Sequence, residues 1–216
     1  MPDHEQRRLR MVEAQIARRG VRDDRVLAAM REVPRERFVA PEMAEFAYND
    51  SPISIGEGQT ISQPYIVAAM IEAAEVRPGD RVLEVGAGSG YAAAVLARLA
   101  ARVYAIERHE ALGKSARNRL DALGYRNIEM RIGDGTKGWP DAAPFDAILV
   151  AAGGPEVPAA LKEQLAIGGR LVMPVGGQGG QTLCKITRSN ETEFTKDELG
   201  SVAFVPLIGE QDWTGR

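Results

Sequence analysis

The chain has 216 residues, 44% of them hydrophobic and 26% charged, the composition of an ordinary globular domain with room for one sizeable core. Its formal net charge of -3 gives no electrostatic footprint for nucleic acid or an anionic membrane, and its single cysteine, Cys184, excludes an intrachain disulfide and a cysteine metal cluster. The start is polar and lacks an apolar signal region, and no apolar run is long enough to span a bilayer, so the expectation is a cytoplasmic monomer with neither nucleic-acid nor membrane partner.

Helical patterning opens the chain. The stretch "MVEAQIARRG" ends at Gly20, a helix stop, and His4 ahead of it falls in a terminus expected to fray. "DDRVLAAMREVP" has an Asp available as N-cap, Val26, Leu27 and Met30 at helical spacing, and a stop at Pro34. Residues 37–60 read as loop, punctuated by Pro41, Pro52, Gly56 and Gly58. "PYIVAAMIEAAEV" is a helix with Pro64 in its first turn, and "RPGD" a turn. From Arg81 the texture changes to alternation. Strands at "RVLEV", "RVYAIE", "IEMRIGD" and "FDAILVAA" are separated by helices at "YAAAVLARLA" and "EALGKSARNRLDALG". A further helix at "VPAALKEQLAIGG" leads into the strand "RLVMPVG". Such alternation predicts a parallel sheet with helices on both faces. "TLCKITRSNETEFTKDEL" then reads as two strands around the turn "SN", and "SVAFVPLIG" as a last strand, so the C-terminal part of the sheet is antiparallel. The expected fold is α/β and Rossmann-like. Residues 1–78 form an N-terminal helical addition, residues 79–216 the core, and the two make one compact unit. The tail "EQDWTGR" carries no assigned role.

"VLEVGAGSG" places Gly86, Gly88 and Gly90 between an apolar strand and a helix, where glycine lets the backbone approach a ligand closely. A dinucleotide loop prefers GxGxxG; the spacing here is GxGxG, so the helix start meets an amino-acid carboxylate instead of a pyrophosphate. Glu84, just ahead of the glycines, is placed to receive the ligand's ammonium, directly or through water. Glu107 ends the next strand, where a carboxylate takes both ribose hydroxyls. Asp134 ends a third, suited to an adenine edge. Three acids at three adjacent strand ends around one glycine loop describe S-adenosylmethionine binding and make this a methyltransferase fold.

Several kinds of methyl transfer are then excluded. No Asn or Asp followed by Pro-Pro and an aromatic follows the fourth strand, which reads "VAAGGPEV", so the clamp for a nucleobase amine is missing. Cys184 lies inside a predicted strand as a core residue, far from the loop set. Ala151 and Ala152 offer no ligand for a catalytic metal, and none is expected. His109 is read as a solvated helix start. No general base is visible, which favours a nucleophile that needs no deprotonation, and a carboxylate is one at neutral pH. Such a reaction asks for orientation, in-line approach and dehydration. Gln59, Thr60 and Ser62, in "GEGQTISQP", are hydrogen-bond donors that could be held next to the methyl group. Ser62 could equally be a helix N-cap, two residues before Pro64.

"GEGQTISQPYIVAAMIE", "LEVGAGSGY", "GDGTKGW", "VAFVPLIG" and the upstream "MVEAQIARRGVRDDRVLAAMREVPRERFV" together resemble the protein-L-isoaspartate (D-aspartate) O-methyltransferase family over nearly the whole chain. The resemblance implies methylation of the free carboxylate of isoaspartyl residues in damaged proteins and peptides, followed by spontaneous succinimide closure. It implies Ser62 as the active-site serine and Glu84, Glu107 and Asp134, with Gly135, at the cofactor. Gln59 and Thr60 are expected at the cofactor and Thr60 and Ser62 at the substrate, and the resemblance sets Val205 and Pro206 at the peptide groove. It also implies the common methyltransferase sheet with its last strands exchanged. A relative acting on one dedicated peptide, and a module that binds S-adenosylmethionine without transfer, remain alternatives.

Overall fold

The computed structural model describes residues 3–177 and 180–210; the tail from residue 211 onward lies outside the described residues. A seven-stranded sheet organises the chain. It comprises β3 (Arg81–Val85), β4 (Arg102–Glu107), β5 (Ile128–Ile132), β6 (Phe145–Val150), β7 (Leu165–Gly177), β8 (Gly180–Arg188) and β9 (Phe194–Val202) in the order β5-β4-β3-β6-β7-β8-β9. The pairs from β5 through β7 are parallel, whereas β8 is antiparallel to both β7 and β9. The final strand lies at the edge, as the implied exchange of the last strands requires.

Alternating side chains of the inner strands enter two different cores, as expected for strands covered on both faces. Val82, Val103, Ala105, Ala147, Leu149 and Val172 join the helices α1 (His4–Met11), α2 (Asp24–Glu32), α3 (Pro64–Ala73) and α4 (Tyr91–Leu96) through Met11, Met30, Ile71 and Leu96. Leu83, Tyr104, Ile106, Ile148 and Met173 pack on the other face with Trp139 and with Leu161 of α6 (Ala159–Glu163). The N-terminal helices therefore share one hydrophobic cluster with the sheet. The remaining long helix, α5 (Glu110–Ala122), follows β4. No helix among the described residues is long and apolar enough to cross a membrane.

Four elements differ from the sequence expectation, each for a local reason. The first helix begins at His4, because the Asp3 carboxylate caps it by accepting from the Gln6 N–H at 3.0 Å. His4 is thus ordered, its ring 6.2 Å from that of Tyr48. The helix continues as a π-turn and a 3-10 turn to Gly20, whose φ of 109° ends it. The segment 37–60 is more than loop. It includes a hairpin of β1 (Ile53–Gly56) and β2 (Gln59–Ile61), turned by Glu57 and Gly58, both with positive φ. The helix predicted over 157–169 stops at Glu163. Leu165 is drawn into the sheet opposite Phe145 and fully buried, and a glycine bulge at Gly168 restores register with Arg170 opposite Ala147. Finally, "SVAFVPLIG" is not a strand. Ser201 and Val202 finish β9, and the rest crosses the sheet top, where the Gly153 N–H donates to Val205 O at 2.8 Å and the Leu207 N–H to Gly153 O at 2.7 Å.

One buried cation ties α3 to the sheet. Arg170 donates to the carbonyls of Ala74 (2.9 Å) and Glu75 (2.6 Å) and pairs with Asp80 at 3.2 Å. Removing one partner of such a pair leaves an uncompensated charge. Arg170→Ala is expected to destabilise the protein by about 3–5 kcal/mol in urea unfolding; a loss under about 1 kcal/mol, the worth of a surface pair, would show that the pair does not bear on stability.

Candidate active site

The cleft at the carboxyl ends of β3, β4 and β6 spans about 1070 Å³ with its solvent-open part included, and apolar residues with a few convergent polar groups line it, as in ligand pockets generally. Its floor is the loop after β3. Gly86, Gly88 and Gly90 have φ of 85°, 53° and 86°, values that side-chain-bearing residues rarely adopt. The N–H groups of Gly86 and Ala87 both donate to Ile106 O, at 2.9 and 3.1 Å, which pins the loop to β4. Gly135 serves by size: a Cβ there would lie 2.4 Å from Val85 Cγ1.

Glu107 is 4% exposed, and its two oxygens accept from the backbone N–H groups of Gly88 and His109, each at 2.8 Å. A carboxylate offers about four lone-pair positions, so two remain for a ligand. Glu84 is 2% exposed, and its Oε2 is buried without a hydrogen-bond partner. Burial, and secondarily the charge of Glu107, push its carboxyl up to about 8. A buried acceptor without a protein partner, beside a second acid and a glycine floor, suits a cation with donors. The residues present therefore fit the ammonium, carboxylate and ribose of S-adenosylmethionine.

The cleft brings together most residues singled out in the sequence. Gln59, Thr60, Ser62, Glu84, Gly86, Gly88, Glu107, Gly135, Val205 and Pro206 all line it, and so does His109. Two do not. Gly90 caps α4, close against Ala116 and Leu120 of α5. Asp134 spends its carboxylate on its own loop and on the C-terminal segment. Oδ1 accepts from the Thr136 N–H (2.9 Å) and hydroxyl (2.7 Å), and Oδ2 from the Glu210 N–H (2.9 Å). Burial acts to raise its pKa, but these hydrogen bonds outweigh it and leave the group below the ordinary carboxylate range.

The alternative reading of Ser62 as an N-cap does not hold. Gln63 occupies the N-cap of α3, without a side-chain cap bond. Ser62 lines the cleft, and its hydroxyl enters no hydrogen bond among the described residues. Sequence reasoning missed the apolar wall of Val67, Met70 and Ile71 from α3, and Ile208 opposite. Their spacing is that of ordinary core residues, so no sequence signal separates them. Cys184 is fully buried in β8, as expected.

A family model described as protein-L-isoaspartate(D-aspartate) O-methyltransferase matches residues 6–212. The chain belongs to this family. A protein-L-isoaspartate O-methyltransferase of Methylorubrum extorquens is 62% identical over 208 residues, covering 96% of this chain and 91% of that one. One from Pelotomaculum thermopropionicum is 56% identical over 206 residues, covering 95% and 90%. Among solved structures, a Plasmodium falciparum protein described as a protein-L-isoaspartate O-methyltransferase in complex with S-adenosyl-L-homocysteine superposes with a TM-score of 0.82. It is 28% identical, with 96% of this chain and 99% of that one covered. This chain is accordingly an S-adenosylmethionine-dependent methyltransferase.

The raised Glu84 pKa has a stability consequence. The native state holds a proton that the unfolded chain releases near the ordinary value of 4.5, so this contribution is complete below that pH and is lost as pH rises through about 8. Glu84→Gln removes the titration. In the ligand-free protein, the stability of wild type relative to Glu84→Gln should fall steadily across this window in urea unfolding; a difference independent of pH would show that the carboxyl is not perturbed.

Proposed function

We propose that this enzyme transfers the methyl group of S-adenosylmethionine to the free carboxylate of L-isoaspartyl residues in damaged proteins and peptides. The observation that carries the reading is the unbonded Ser62 hydroxyl, held beside Thr60 in the wall of the same cleft that contains Glu84 and Glu107. Among the described residues no group of three or more His, Cys, Asp or Glu is arranged to hold a metal ion. When bound, S-adenosylmethionine supplies an electrophilic methyl group on a sulfonium centre.

The protein's own groups would divide the work as follows. Glu107 holds the ribose hydroxyls with its two remaining lone-pair positions, and Glu84 takes the ammonium. The loop from Gly86 to Gly90 gives the amino-acid carboxylate its close approach. Gly135 leaves room at the adenine side, with Asp134 holding the shape of that loop through Thr136 and Glu210. Gln59 and Thr60 close the cleft over the ligand. Thr60 and Ser62 orient the incoming carboxylate, which needs no base because it is already ionised. The apolar wall excludes water, so the nucleophile arrives partly dehydrated. Val205 and Pro206 border the groove for the substrate chain, which is read through its backbone without regard to sequence.

Two measurements test this. Glu107→Ala loses charge-assisted hydrogen bonds worth about 1.5–3 kcal/mol, so S-adenosylhomocysteine should bind roughly tenfold to hundredfold more weakly in calorimetry; unchanged binding would remove Glu107 from the site. Methyl label on an isoaspartyl peptide should escape as methanol at mildly alkaline pH, because the neighbouring amide nitrogen attacks the ester and expels methoxide. The normal aspartyl twin should take up little label. Alkali-stable label, or equal labelling of both peptides, points to a different acceptor.

A further inference from the structure

Arg35 is fully buried, among the largest side chains with no exposure, yet no carboxylate lies within ion-pair distance of it among the described residues. It opens the 3-10 turn Arg35–Phe38, which follows the stop of α2. Its Nε donates to Ala47 O and its Nη2 to Ser62 O, both at 2.7 Å, while Nη1 is buried without a partner. The guanidinium carbon sits 4.8 Å from the ring centre of Tyr91, the residue that begins α4 directly after Gly90. Tyr91 is wedged in turn by Phe38, whose ring centre is 5.5 Å away, edge to face.

Asp50 supports this cation only from beyond ion-pair distance, so its burial is expensive, and a long apolar side chain would fill the same volume at no such cost. The cation is spent on two backbone carbonyls and one aromatic face. Two of these three belong to the reaction centre: the carbonyl of residue 62 and the ring that follows the glycine loop. A charge-assisted bond to the Ser62 carbonyl fixes the plane of the 62–63 peptide, and with it the direction in which the Ser62 side chain leaves the backbone. Burial lowers the pKa of the group, but guanidinium starts so high that it stays charged.

We infer that Arg35 is a positioning residue of the methyl transfer: it clamps the backbone of Ser62 to the start of α4 and so sets the serine hydroxyl relative to the cofactor loop. The inference rests on the reading of Ser62 above. Misplacement of a reacting group by about 1 Å can cost about a hundredfold in rate. Lys at position 35 keeps the charge but cannot donate in two fixed directions at once.

The test is a double-mutant cycle of Arg35→Lys and Ser62→Ala, with kcat and KM for an isoaspartyl peptide, S-adenosylhomocysteine affinity by calorimetry, and near-UV circular dichroism for the fold. Arg35→Lys should lower kcat by about 10–100-fold with cofactor-product affinity within about threefold, and in the Ser62→Ala background it should cost less than about threefold more. A native kcat in folded Arg35→Lys overturns the inference, as does the same loss in both backgrounds, or a loss of S-adenosylhomocysteine affinity as large as the loss of kcat. Native turnover in Ser62→Ala overturns the role of Ser62 and this inference with it, whereas a slow Ser62→Ala with additive Arg35→Lys overturns the inference alone. Arg35→Gln, neutral and with one amide donor, serves as the second variant. If neither variant folds in the presence of excess S-adenosylhomocysteine, Arg35 belongs to the fold and the inference fails.

Discussion

Two hydrogen bonds to the carboxylate of Glu107 join the parts of this site. One comes from the glycine loop at Gly88, the other from the start of α5 at His109, each at 2.8 Å. The same side chain thus fixes the loop after β3 and the helix after β4, at the neighbouring ends of two parallel strands. The arrangement works because the loop is already drawn to β4 through Ile106 O. Open α/β sheets bind ligands at the carboxyl ends of their strands. Here the two bonds leave half of the carboxylate's accepting capacity for a ligand.

Around this joint the molecule tolerates costs that a purely structural core avoids. Glu84 is buried with an unpaired oxygen and a proton held to about pH 8. Arg35 is buried with no carboxylate within ion-pair distance among the described residues. These conflicts with stability sit beside or behind one cleft, whereas the other buried cation, Arg170, is paired with Asp80 and satisfied by carbonyls.

The sheet alone does not specify the chemistry, since similar sheets carry unrelated reactions. Two additions flank the cleft. The β1–β2 hairpin brings Gln59 and Thr60 to the cleft and leads to Ser62. The segment after β9 closes the opposite side. Gln181 holds that segment by accepting from the Phe204 N–H at 2.8 Å and donating to Phe204 O at 3.2 Å, in place of the ladder that Pro206 would interrupt.

The sequence by itself determined the strand–helix alternation, the glycine loop, Glu84 and Glu107, and the cluster around Ser62. These signals are local: periodicity, turn residues, and acids at the ends of apolar runs. Its errors were also local propensity overridden by distant contacts. Leu165 left a helical pattern to pair beside β6 as the first residue of β7. "AFVPLIG" gave up a strand pattern to bond with Gly153 and Gln181. The tertiary structure alone decided that Ser62 is not a cap, that Glu84 is left without a partner, and that Arg35 reaches the carbonyl of a residue 27 positions further along the chain. Such pairings depend on how elements dock, and no spacing along the chain encodes which buried donor meets which carbonyl.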